Sequence, residues 1–281
     1  MTQNTVQTHR SLSRSASYPE ALDAARLGAR APLTAGFLRA AAPGYCSSAQ
    51  RAEAAGDWFE QALTYATARL HGAAAPLAPA GTGMGQVDGY TAADYLIQHA
   101  TRERRTARVP ASTWEALLPH IRDPADVSRL AGSAMGRLLY RYAIPLYRYA
   151  ADADADGGHA ANRLADLLAT RGDLDGAIQI LRAQADAGDW FAAGQLAGLL
   201  ATRGDLDELR ARADTGDRYA ANLLATRGDL DEAVQVLRVR ADAGEGDARR
   251  LAELLTQQGR GEEAERLRRC GLNPDGSVAC G

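Results

Sequence analysis

The run DADADG sets Asp152, Asp154, Asp156 and Gly157 at positions 1, 3, 5 and 6 of a calcium loop, where alternating carboxylates surround a hard cation. Position 12 of such a loop must supply a bidentate carboxylate, and Arg163 stands there; position 9 is Ala160. The spacing therefore predicts a solvated junction rather than a metal site. Gly81, Gly83 and Gly85 (GTGMG) offer the small residues of a phosphate cradle, but neither GK[ST] nor the full GxGxxG spacing follows, and no strand is expected before them. They read as a flexible loop. His9, His71, His99, His120 and His159 are isolated and lack the HExxH metal spacing. Cys46 in GYCSS is a nucleophile only if the fold brings it a histidine, because such partners meet in space rather than in sequence.

Every one of the 32 basic residues is arginine. Without lysine there is no phosphate-loop lysine and no Schiff base to pyridoxal phosphate. The expectation is a protein that is not an enzyme and uses neither cofactor nor metal. An undetected enzyme in the first half, acting through Cys46 or His99, is the alternative. A formal charge of -3 gives no basic excess for phosphates, so no nucleic-acid partner is expected. Arg102, Arg104, Arg105 and Arg108 form the densest basic cluster, at an expected helix end where cations are favoured; contact with an acidic partner is the other reading. Cys46, Cys270 and Cys280 are too few and scattered for a disulfide framework, which predicts a reduced, cytoplasmic setting. Residues 1 to 18 read as a disordered tail, and no apolar run is long enough for a membrane span.

The elements that position these side chains announce themselves by repetition. LLATRGDLD occurs at 167–175, 199–207 and 223–231. Upstream of the first copy, Ala161, Leu164, Ala165 and Leu168 fall at i, i+3, i+4, i+7, and Leu174, Ala177, Ile178 and Leu181 repeat that spacing downstream; two amphipathic helices flank TRGD. Gly172 suits the left-handed residue that ends the first helix, and the Asp173 carboxylate can cap the second. Asp205 to Glu208 and Asp229 to Glu232 have the spacing of a capping box. Arg171-Gly172-Asp173 is thus read as helix punctuation and not as an adhesion tripeptide. Two four-residue deletions, one in the second helix of the second unit (GDLDELRARAD) and one in the first helix of the third (GDRYAANLLATRG), explain why the copies lie unevenly apart. Each removes about 6 Å of helix while turning its apolar face by only about 40°, so two adjacent shortened helices are predicted.

An offset of 34 residues aligns 128–153 with 162–187 through Arg129, Leu130, Ala131, Ala143, Ile144, Arg148, Ala151 and Asp152, and LAELLTQQGRGEEAERLRR extends the pattern after the third copy. The prediction is all-α: about five helix-pair repeats over 123–270, starting near 123, 157, 188, 216 and 244, in an α-solenoid whose pairs bury their faces by stacking. Residues 19–122 form a preceding irregular helical region, with helices near 20–29, 34–42, 47–69, 92–105 and 111–121 and a Gly/Pro-rich loop or loose hairpin at 72–90; 271–281 is a C-terminal tail.

Leu164, Ala165, Ala177 and Leu181 resemble the repeated positions of tetratricopeptide repeats, and the joining phrase ADAGD is similar to the Sel1-like variant. ALDAARLG, LRAAAPGY, DWFEQALTYATARLHGA and GYTAADYLIQHA resemble a helical region of actinobacterial STAND-type signalling ATPases, between their nucleotide domain and their repeats. The ATPase motifs do not occur here. The resemblance implies a bacterial signalling context and a stand-alone sensor half that works with a STAND-type ATPase in another chain. The repeats imply a scaffold for a protein or peptide partner, and the first-helix positions expected on the concave side are His159, Asn162, Asp166, Phe191, Arg218, Tyr219, Arg249 and Glu253. Trp58-Phe59 and Trp190-Phe191 repeat one phrase, GDWF, and are read either as aromatics packed between helices or, for Phe191, as part of that strip.

Overall fold

The structure, a computed structural model, describes residues 18–69, 75–153, 158–227, 230–242, 248–272 and 278. The described chain is helical apart from one hairpin and two isolated bridges. It divides into two compact units, up to Ala160 and from Ala161 onward.

In the first unit, helices α1 (Pro19–Leu27), α2 (Ala35–Ala41), α3 (Ser48–Ala52) and α4 (Trp58–Thr67) precede strands β1 (Leu77–Ala80) and β2 (Gly89–Ala92); α5 (Asp94–Glu103), α6 (Ala111–His120), α7 (Pro124–Met135) and α8 (Tyr140–Asp152) follow. The single helix expected over 47–69 is two. Ser47 and Gln50 close a capping box on the short α3, and α4 starts afresh at Trp58. The Gly/Pro-rich stretch is an antiparallel hairpin with Leu77 opposite Ala92 and Ala80 opposite Gly89. GTGMG is its turn: a Cβ on Gly81 would lie 1.9 Å from the Gln86 carbonyl oxygen, and the Asp88 carboxylate accepts from the Thr82 amide at 2.7 Å and its hydroxyl at 2.8 Å. Position 81 thus requires glycine for this close backbone approach.

Asp23, fully buried on α1, organises the polar interior of this unit. It accepts from Arg104 Nε at 3.1 Å, Arg104 Nη2 at 2.8 Å and Tyr45 Oη at 2.8 Å, and it pairs with Arg26 Nη2 at 3.1 Å. Buried charge is tolerated here because it is paired and hydrogen-bonded. Arg26 also reaches the carbonyls of Arg104, Arg105 (3.4 Å) and Ala107 (3.2 Å), which ties down the segment after α5. Buried Asp126 on α7 accepts from the Arg30 and Ala31 amides, both at 2.8 Å.

Beyond α9 (His159–Thr170), which spans the boundary, the second unit contains α10 (Leu174–Asp186), α11 (Trp190–Arg203), α12 (Leu206–Asp214), α13 (Arg218–Arg227), α14 (Leu230–Asp242), α15 (Ala248–Gln257) and α16 (Gly261–Cys270). Successive helices from α10 onward touch, and α11 also packs on α13. Most of the apolar stripe is buried, with Leu174 half-buried: Leu164, Ala165 and Leu168 on α9, Ala177, Ile178 and Leu181 on α10, Leu196, Ala197 and Leu200 on α11. The two shortened helices occur where the deletions place them. α12 has 9 residues against 13 in α10, α13 has 10 against 14 in α11, and the two short helices are in contact.

Cap geometry follows the sequence in part. Gly172 is left-handed at φ 87°, and the Asp173 carboxylate accepts from the Gly176 amide at 3.0 Å. Asp205 makes no cap hydrogen bond, so the capping box expected with Glu208 is not formed. Arg203 takes Asp205, and Glu208 accepts from Arg182 of α10 through two bonds, 2.9 and 2.7 Å. A bidentate guanidinium pair outbids a neutral amide for a carboxylate. Asp229 and the Glu232 side chain lie outside the described residues.

The C-terminal segment is anchored where it is described. Leu272 bridges Val278, and both lean on the cluster of Val234, Leu237, Leu251, Leu255 and Leu267. Cys270 is disulfide-bonded, which corrects the expectation that all three cysteines are reduced. Among the described residues no helix is long and apolar enough to cross a membrane.

Candidate interaction cleft

The two joining phrases ADAGD (185–189) and ADTGD (213–217) do the same local work. Gly188 and Gly216, both at φ 96°, reverse the chain after α10 and α12. The following aspartates then cap the next helix: Asp189 Oδ1 accepts from the Phe191 amide at 2.8 Å and the Ala192 amide at 3.2 Å, and Asp217 Oδ1 accepts from the Tyr219 amide at 2.9 Å and the Ala220 amide at 3.3 Å. Because α11 packs on α13, the two capped ends lie side by side. An open cleft of about 510 Å³ lies between them, lined by Asp186, Trp190, Arg212, Arg218 and Tyr219 among others.

Arg212 is mostly buried and is held by Asp186 at 2.8 Å, with Glu208 at 3.6 Å. Arg218 stacks over the Tyr219 ring, 4.7 Å from its centroid, and donates from Nη2 to the Tyr219 hydroxyl at 2.7 Å. No carboxylate among the described residues pairs with Arg218. Tyr219 fits there because Gly194 on α11 has no side chain: a Cβ would sit 3.3 Å from the ring. Trp190 is 66% exposed and Phe191 49%, their rings edge to face at 6.0 Å. The same phrase in the first unit ends differently, with Phe59 buried at 7% beside Trp58.

Asp189 has a third bond, from Asn162 Nδ2 on α9 to its Oδ2 at 2.8 Å. Burial pushes the Asp189 pKa up, but the bonds from Asn162 and the Ala192 and Phe191 amides outweigh it and hold the carboxyl below its ordinary value. Asn162, only 7% exposed, thus supports the cap from a buried position.

The eight expected positions have different surroundings. Arg218 and Tyr219 share the cleft, and Phe191 stands beside its Trp190 wall. Asp166 accepts from Gln195 Nε2 of α11 at 2.6 Å. Arg249 and Glu253 pair along α15 at 3.3 Å, and Arg250, which also binds Glu253, donates to Asn222 of α13 at 2.9 Å. His159 is exposed on the first turn of α9. Asp186 and Arg212 escaped the sequence reading, and Trp190, read there as an aromatic packed between helices, is instead 66% exposed; the recurrence of the joining phrase ahead of an aromatic was the available signal.

Cys46 donates to the Ala42 carbonyl at 3.7 Å, and burial raises its pKa, the reverse of what a thiolate nucleophile needs. His99 is exposed on α5. Among the described residues no group of His, Cys, Asp and Glu could hold a metal; Asp154, Asp156 and Gly157 of the DADADG run lie outside them. The chain matches no family model and no curated protein.

Proposed function

We propose that this chain is a non-enzymatic interaction module whose helix pairs continue as a tetratricopeptide-like α-solenoid, and that the cleft between the two joining phrases receives an extended peptide. The exposed Trp190-Phe191 pair beside Arg218 carries this reading. Aromatic and arginine side chains dominate binding hot spots, and burying an exposed Trp or Phe yields about 1.5–3 kcal/mol or more from apolar area alone. Arg218, stacked and without a carboxylate partner among the described residues, suits an acidic side chain or a C-terminal carboxylate on the peptide. The occupant is a peptide with one bulky apolar residue close to one carboxylate.

Display selection of random peptides against the whole chain tests this. Enriched peptides should combine an aromatic or large aliphatic residue with Asp, Glu or a free C-terminus, and should lose affinity for Trp190→Ala and Arg218→Glu. Equal enrichment by wild type and both variants would remove the cleft as the site.

A further inference from the structure

The first unit holds a second cleft, of about 740 Å³, between the segment after α5 and the C-terminal end of α7. Its lining includes Arg105, Arg108, Arg137, Thr106, Ser133 and Trp114, and no acidic residue among the described ones. In a chain of net charge -3 that composition is unexpected. Several arginines elsewhere on the described surface pair with carboxylates: Arg39 with Glu60, Arg141 with Glu115, Arg182 with Glu208, Arg238 with Glu263. By contrast, no described carboxylate pairs with Arg105, Arg108 or Arg137. Arg137, just past the end of α7, donates from Nη1 to the Ser133 carbonyl at 2.8 Å and hydroxyl at 2.6 Å.

The cleft is built from behind. Arg26 grips the carbonyls of Arg104, Arg105 and Ala107, and Arg26 and Arg104 share the single carboxylate of Asp23. Burial, and next the Arg26 charge, push the Arg137 pKa below the ordinary arginine value against the opposing pull of the Asp23 carboxylate. The chain also takes a left-handed φ of 60° at Leu138, directly after Arg137, so the turn that presents this guanidinium is kept against local preference. Gly132 and Gly136, one helical turn apart on α7, line the opposite side and leave room there.

We infer that this cleft binds a small polyanion, a molecule with several phosphate or carboxylate groups held by Arg105, Arg108 and Arg137. Guanidinium forks match both groups through paired hydrogen bonds, and the volume suits a compact ligand. The site lies in a different unit from the peptide cleft and does not depend on that reading.

Titration calorimetry of the whole chain with inorganic tripolyphosphate, and separately with citrate, at constant ionic strength tests it. Saturable one-to-one binding is expected for at least one probe, weakened about tenfold or more in Arg105→Ala/Arg137→Ala, as the loss of charge-assisted bonds implies. Preference for tripolyphosphate assigns phosphate, and preference for citrate assigns carboxylate. Should the double variant fail to fold, Arg108→Glu, at an exposed position with no pairing to lose, must weaken binding on its own. No saturable binding of either probe, or equal binding by the charge variants, overturns the inference.

Discussion

Replacing Asp189 by alanine removes three hydrogen bonds at one junction, and the structure supplies its own control. Loss of an aspartate cap costs about 1 kcal/mol. Beyond the cap, the Asn162 amide, donating at 2.8 Å from a side chain only 7% exposed, would be left without its acceptor, at about 1–3 kcal/mol. Asp189→Ala should therefore cost about 2–4 kcal/mol, a large part of the 5–15 kcal/mol typical of a folded domain. Asp217 caps α13 in the same way but receives no such asparagine, because Gly194 occupies the place in the second repeat that Asn162 holds in the first. Asp217→Ala should cost only about 1 kcal/mol. In an Asn162→Ala background the cost of Asp189→Ala should likewise fall to about 1 kcal/mol, since only the cap remains. Urea unfolding at pH 7 followed by circular dichroism measures all four. The pH dependence has a definite sign: the folded pKa of Asp189 is depressed, so its contribution is present above the unfolded aspartate value of about 3.9 and is lost as pH falls through the lower folded value. Equal losses for Asp189→Ala and Asp217→Ala, or strict additivity with Asn162→Ala, would refute this reasoning.

Glu20 is 1% exposed with an unpartnered Oε2, and burial raises its pKa; wild-type stability is therefore full below the ordinary glutamate value and erodes as pH rises through the folded one. Glu20→Gln should be the more stable form at pH 8, with the gap closing by pH 4.5; denaturant midpoints at the two values decide this. Glu208, whose pKa is lowered chiefly by its bonds from Arg182, is part of a half-exposed pair, so Glu208→Gln should cost less than about 1 kcal/mol, and less still in 1 M salt when melted at both ionic strengths. Leu138 is 70% exposed at φ 60°; Leu138→Gly should relieve the left-handed penalty and stabilise by about 0.5–1 kcal/mol, which a shift in urea midpoint would show.

How far the sequence could be read depended on the range of the interaction. Gly172 and Asp173 act within one turn, and their geometry follows from local chemistry alone. The deletions in the second and third units were legible too, because four residues are about one helical turn and leave the apolar face in register. Asp205 and Glu208 have the same local signature as a capping box, yet Arg182 and Arg203 claim their carboxylates; Arg182 lies 26 residues away, beyond any local motif. The cysteines show the same limit, since spacing alone gave no hint that Cys270 is bonded.

Repetition, helix period and punctuation by themselves determined an all-α chain and the lengths of α12 and α13, since apolar spacing and backbone capping are satisfied within a dozen residues. Tertiary structure alone decided which identical words carry different tasks. GDWF buries its phenylalanine at position 59 and exposes it at 191, and Arg105 and Arg108 meet Arg137 across a cleft that no spacing in the sequence encodes. The physical reason is that exposure and charge balance belong to the set of neighbours a fold assembles, and those neighbours come from separate helices.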